Sequence, residues 1–203
     1  MVVLFMYLKN LLAAVAIIDE MPLEVEDMAA ELIKAGCQDR IIFSAADEDP
    51  AEIQGVFYQY TTKPGVYCSP DFITLIVYSK HLSVEWQRLV CCKELIHACD
   101  SEIEQTNTEE EVQALLEKIL GPLSTEDFGL ADLMAAKDKF AIYQALAILF
   151  PLSARDEARK AMSEKKRTLE QVAAWACLPS QLVELVLSDD WPKIRNDLVV
   201  GWG

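Results

Sequence analysis

The sequence predicts an α+β fold, mostly helical, with a small antiparallel sheet packed on a buried helix and a helical module at the C-terminus. Three observations carry that expectation. Residues 56–61 (Val-Phe-Tyr-Gln-Tyr-Thr) and 73–78 (Ile-Thr-Leu-Ile-Val-Tyr) are β-rich runs bounded by turn residues. An apolar run of helical length follows at 83–103, and the last third of the chain is a series of segments with helix start and stop signals. At 203 residues the chain is long enough to bury a core without staples.

In chain order, residues 2–18 are apolar, interrupted by Lys9 and Asn10 and followed at once by Asp19 and Glu20. They are expected to form a buried N-terminal helix, with a membrane segment as the alternative. Val25, Met28, Ala29, Leu32 and Ile33 recur at helical spacing behind Pro22, and Gly36 closes that amphipathic helix. Residues 41–43 suggest a short strand and 46–50 an acidic turn; the 56–61 and 73–78 runs then suggest an antiparallel pair with an irregular connection. Ser83 is a plausible N-cap for a helix that is apolar nearly all round, so its inner polar residues Lys93, Glu94 and His97 must each find a partner.

Residues 101–111 read as an acidic loop leading to a helix at about 109–119. The segment 130–150 is helical until Pro151 stops it, and a charged helix follows at 153–165. Thr168 and Gln171 form a capping box for a helix to Ala176, and Pro179 and Ser180 start another through Leu187. This last helix carries no Lys or Arg, which points to packing rather than to DNA reading. The expected division is 1–155 for the main domain and 156–203 for a module packed on it.

Composition narrows function. A formal charge of −15 argues against direct nucleic-acid binding, since phosphate contacts need clustered cations. Six cysteines without a CxxC pair fit reduced, buried thiols in a cytoplasmic protein.

The chemistry-bearing motif is Lys93-Glu94-Leu95-Ile96-His97, one residue from His-Glu-x-x-His, in which two imidazoles one turn apart hold zinc and the glutamate is general base. Here the first imidazole is a lysine. Freeing the Lys93 lone pair at pH 7 costs on the order of 5 kcal/mol at an unperturbed pKa of about 10.4.

The strand at 73–78, the Trp86-to-His97 helix, the 145–151 segment ending in proline and the 168–187 helix pair, in that order, resemble the ImmA/IrrE family of zinc metallopeptidase-like proteins. That family has a strand before an Arg-Phe-Thr-x-Ala-His-Glu-Leu-Gly-His helix, and a later acid as third ligand. The resemblance spans roughly residues 20–190 and implies a zincin-like core. It places Glu94 at the general-base position, His97 at the second histidine ligand and Asp138 at the third-ligand acid. Lys93 replaces the first histidine, and Ile96 the usual glycine. His81, the only other histidine, is too far along the chain to substitute.

What the resemblance implies is a pseudo-peptidase with zinc lost, its Lys93 ammonium standing for the cation beside Glu94 or Asp138, and a function in binding a protein or peptide. The partner that the resemblance implies is a repressor-type regulator in bacterial or phage regulation. The bland alternative has Lys93 snorkelling to the surface and His97 as a core histidine. An active hydrolase would need an ion held by His97, Asp138 and Glu94. A third possibility is an assembly protein whose dimer surface is built from Trp175, Trp191 and the 182–187 run.

Overall fold

The computed structural model describes residues 3–18, 20–63, 65, 69–100 and 130–200, and side chains within these outside 3–8, 99–100, 130–138 and 199–200. The expected loop at 101–111 and helix at 109–119 lie outside the described residues. The described chain is α+β and mostly helical, with eight helices and one three-stranded sheet.

Helix α1 (Val3–Val15) turns Leu11, Leu12 and Val15 into the core, while Lys9, Asn10 and Ala13 are exposed, so among its described side chains one face is buried. Among the described residues no helix is long and apolar enough to cross a membrane. Helix α2 (Val25–Lys34) buries Val25, Met28, Ala29 and Leu32, the face set by their spacing. It ends where the pattern predicts: Gly36 takes a φ of +108°, and the Gly36 and Cys37 N–H groups donate to Ile33 and Leu32 carbonyls. This is a Schellman closure that a β-carbon would strain.

Strands β1 (Arg40–Ala46), β2 (Gly55–Thr62) and β3 (Asp71–Ser79) lie in the order β1-β3-β2. The β2–β3 pair is antiparallel, from Gly55 opposite Tyr78 to Thr62 opposite Asp71, as the sequence suggests. The sheet as a whole is mixed, which corrects the antiparallel expectation: β1 is longer than its three-residue Ile-Ile-Phe signal and runs parallel to β3. The reason is the 47–54 connector, which arches over the end of β3 and delivers β2 to its far side. Buried Ser79 pins that arch, its hydroxyl donating to the Glu48 carbonyl at 2.6 Å and its N–H to the Gln54 carbonyl at 3.0 Å.

Helix α3 (Val84–Asp100) lies across one face of the sheet. Leu89, Val90, Cys91, Cys92, Leu95, Ile96 and Ala98 are all buried, because β2 and β3 cover one side while α4 (Leu130–Leu149), α2 and α1 cover the others. Buried Arg88 fastens α3 to the start of α2 by donating to the Leu23 carbonyl and the Glu24 carboxylate.

Past Pro151, α5 (Leu152–Ser163), α6 (Leu169–Ala176), α7 (Ser180–Leu187) and α8 (Trp191–Val200) complete the chain. Both arms of the Thr168–Gln171 capping box are made. Arg155, buried on α5, donates to the Val186 and Ser188 carbonyls at 2.8 and 2.7 Å, so a guanidinium meets the carbonyl end of α7, where a cation is favoured.

Trp191 corrects an expectation. It is fully buried, its ring 6.4 Å from that of Tyr143 in an edge-to-face contact, because α8 folds back on α4 and turns it inward. It is part of the same core cluster as Leu11 and Phe150 and cannot form a dimer surface. Trp175 is only partly buried, with Phe150 edge-on and the Arg167 guanidinium 4.4 Å from its ring centre. We predict that Trp191→Ala lowers stability by about 3–5 kcal/mol in urea titration, the usual cost of emptying a buried aromatic site, and leaves the sedimenting species unchanged.

Candidate functional site

The candidate site lies where the 47–54 connector, the head of β2 and α3 converge. Val90 and Glu94, one helical turn apart, both face Gly55. A β-carbon on Gly55 would stand 2.3 Å from Val90 Cγ1, 3.2 Å from Glu94 Cγ and 3.3 Å from Glu94 Oε1. Only glycine lets the strand come this close to the helix, and it leaves the Glu94 carboxylate against bare backbone. Gly55 is therefore a site residue that sequence reasoning missed; its signal was a lone glycine heading a β-rich run.

Lys93 Nζ lies 3.0 Å from Glu94 Oε1, and their side chains are 10% and 6% exposed. The adjacent charges thus meet each other inside the core, and the snorkelling alternative fails. Lys93 also lines a cavity of about 530 Å³ whose remaining wall comes from the connector and β2, among them Glu52, Ile53, Gly55 and Tyr58. These donors do not fit zinc. An ammonium has three N–H donors and no lone pair, and its partner carboxylate already accepts from it.

His97 follows one turn after Lys93 and is half-buried. Asp138 lies on α4, the helix packed against α3, but its side chain is outside the described residues. His81 is held elsewhere: Nε2 is 2.7 Å from Asp47 Oδ1, and Lys80 Nζ is 3.0 Å from the other oxygen. Lys80, then His81, hold the Asp47 carboxyl below the usual range. Among the described residues no group of three or more His, Cys, Asp or Glu is placed to hold a metal ion.

The sheet edge beside the cavity is β2. β3 is central, bonded to β1 on one side and β2 on the other. The Ser79 N–H to Gln54 carbonyl bond fixes the phase of the antiparallel ladder. Alternation then turns the backbone groups of Gly55, Phe57, Gln59 and Thr61 away from β3. No strand pairs with that side of β2 among the described residues. Gln59 anchors the strand further along, its Nε2 donating to the Ala98 carbonyl at 3.1 Å and lying 3.3 Å from both Thr74 Oγ1 and Asp39 Oδ2.

Burial disfavours the thiolate form of the two described thiols on α3. Cys91 and Cys92 are free and buried; desolvation, then Glu26 and Glu94, push the Cys91 thiol up to about 12, and burial raises that of Cys92 as well. Cys68 and the side chain of Cys99 lie outside the described residues.

No family model, curated protein or solved structure matches this chain.

Two predictions follow from the pair and the thiols. Lys93→Met should cost about 3–5 kcal/mol in urea unfolding, because it leaves the buried Glu94 carboxylate without the ammonium 3.0 Å away, and adding Glu94→Gln to that variant should recover part of the loss. Native Cys91 and Cys92 should resist a thiolate-specific reagent at pH 8, well below the raised thiol range, and react once the chain is unfolded; native labelling of either would contradict their burial.

Proposed function

We propose that this chain is a catalytically impaired relative of the ImmA/IrrE metallopeptidase-like proteins, with a zincin-like core, that binds an extended protein or peptide segment without cleaving it. The observation that carries the proposal is the Lys93–Glu94 ion pair, 3.0 Å long and buried, at the first-ligand and general-base positions of the resemblance. Hydrolysis by this family's chemistry needs a Lewis acid and a free carboxylate to take a proton from water. Here an ammonium stands at the ligand position, and Glu94 is spent on neutralising it. A protonated lysine keeps the positive charge that a carboxylate at this depth requires, and supplies no open coordination position.

The arrangement of helix, sheet and cavity supports binding. The helix with the degenerate motif packs under a small sheet, and the outer strand β2 borders the cavity with one row of backbone donors and acceptors turned outward. An extended segment lying along Gly55, Phe57, Gln59 and Thr61 would complete that ladder, a mode in which main-chain bonds give affinity and side-chain pockets give choice. The partner we propose is a protein segment of a repressor-type regulator, met in the cytoplasm of a bacterial or phage-infected cell.

The test restores the missing ligand. Lys93→His should bind zinc stoichiometrically in a calorimetric titration where the parent does not, with His97 and Asp138 completing three ligands. Zinc binding by the parent at this site would sink the proposal. Failure of Lys93→His to bind would remove Asp138 from the site and with it the family resemblance.

A further inference from the structure

Two charged side chains line the cavity beside Gly55, the Glu52 carboxylate and the Lys93 ammonium. Behind the lining, Glu94 Oε1 lies 3.0 Å from Lys93 Nζ, so the ammonium already faces a carboxylate, while Glu52 stands exposed on the connector. The connector adds exposed Glu48 and Asp49 nearby, and its Asp47 carboxylate engages Lys80 at 3.0 Å and His81 at 2.7 Å. Beside Glu52 the wall presents Tyr58, 54% exposed, and two residues further along the same strand face stands Tyr60, 44% exposed. An exposed aromatic face next to a carboxylate suits a guanidinium or ammonium, which can stack on one and hydrogen-bond the other. The volume of about 530 Å³ lies within the ordinary range for ligand pockets, roughly 300–1,000 Å³. A chain of net charge −15 also attracts basic segments and repels acidic ones before contact.

We propose that the segment added to the outer edge of β2 is basic, and that one of its lysine or arginine side chains enters this cavity between the Glu52 carboxylate and the Tyr58 ring. The inference rests on the binding function proposed above and specifies the chemistry of the partner. Backbone pairing along Gly55, Phe57, Gln59 and Thr61 sets the register, and the basic side chain then selects among sequences able to extend.

The test uses the whole protein and a displayed library of random octapeptides. Selected peptides should share a lysine or arginine at one position and bind the Glu52→Lys variant about tenfold or more weakly, the loss of one charge-assisted contact. Glu52 is exposed on a turn, so this variant should keep the parent circular dichroism spectrum. Thr61→Pro, which removes an outward N–H and spares the bonds to β3, should weaken the same peptides, as should N-methylation of alternate peptide residues. Binders that lack a basic residue, or basic binders indifferent to Glu52→Lys, would overturn the inference and leave the binding proposal standing. Recovery of no binder would overturn both.

Discussion

A lysine and a glutamate adjacent in sequence are buried side by side on a helix that has no polar face, and the arrangement around α3 follows from where that pair must go. Each ion alone in the core would cost several kcal/mol of lost hydration. At 3.0 Å they return much of that to each other, but only if both side chains turn to the same corner of the helix surface. That corner lies under the head of β2, where Gly55 offers backbone in place of a side chain. The pair thus sits where helix, strand and cavity meet.

The sheet meets that requirement through a crossing connection. Because the 47–54 connector passes over Ser79 to reach the far side of β3, β2 becomes the outer strand and its first residues stand over Glu94. Gln59 ties the same strand to the last turn of α3, so the edge is held at two points. An edge strand with unpaired backbone groups invites pairing, and many proteins blunt such strands with charge or proline. Here β2 shows Tyr58 and Tyr60 to solvent and carries neither device between Gly55 and Thr62. That composition is in keeping with the strand addition proposed above, since no strand pairs with this side of β2 among the described residues.

Much of this was legible in the sequence, for local reasons. Helical spacing at Val25–Leu32, the stop at Gly36, the Thr168 capping box and the proline after Phe150 are all decided within a few residues, and each element appears where its signal stands. The apolar surround of α3 announced that Lys93 and Glu94 would be buried. What was not legible depended on distant partners. The parallel β1–β3 pairing, the central place of β3 and the burial of Trp191 are set by a crossover and by a final helix folding back, which no local pattern encodes. Gly55 was overlooked because its need arises from Val90 and Glu94, thirty-five and more residues away in sequence.

On the proposed reading, an ammonium in the place of a metal ligand would leave a cleft with shape and charge but without an electrophile. Such a cleft can still hold a chain in extended form, and the acidic connector and the tyrosines of β2 give it grounds for preference. The most direct check of the central claim, that Lys93 stands where the cation would, is the metal content of the unaltered protein purified without chelator, before and after incubation with zinc. The account predicts no stoichiometric metal in either state. About one equivalent of bound metal that disappears on His97→Ala would contradict it and make the site a working metal centre.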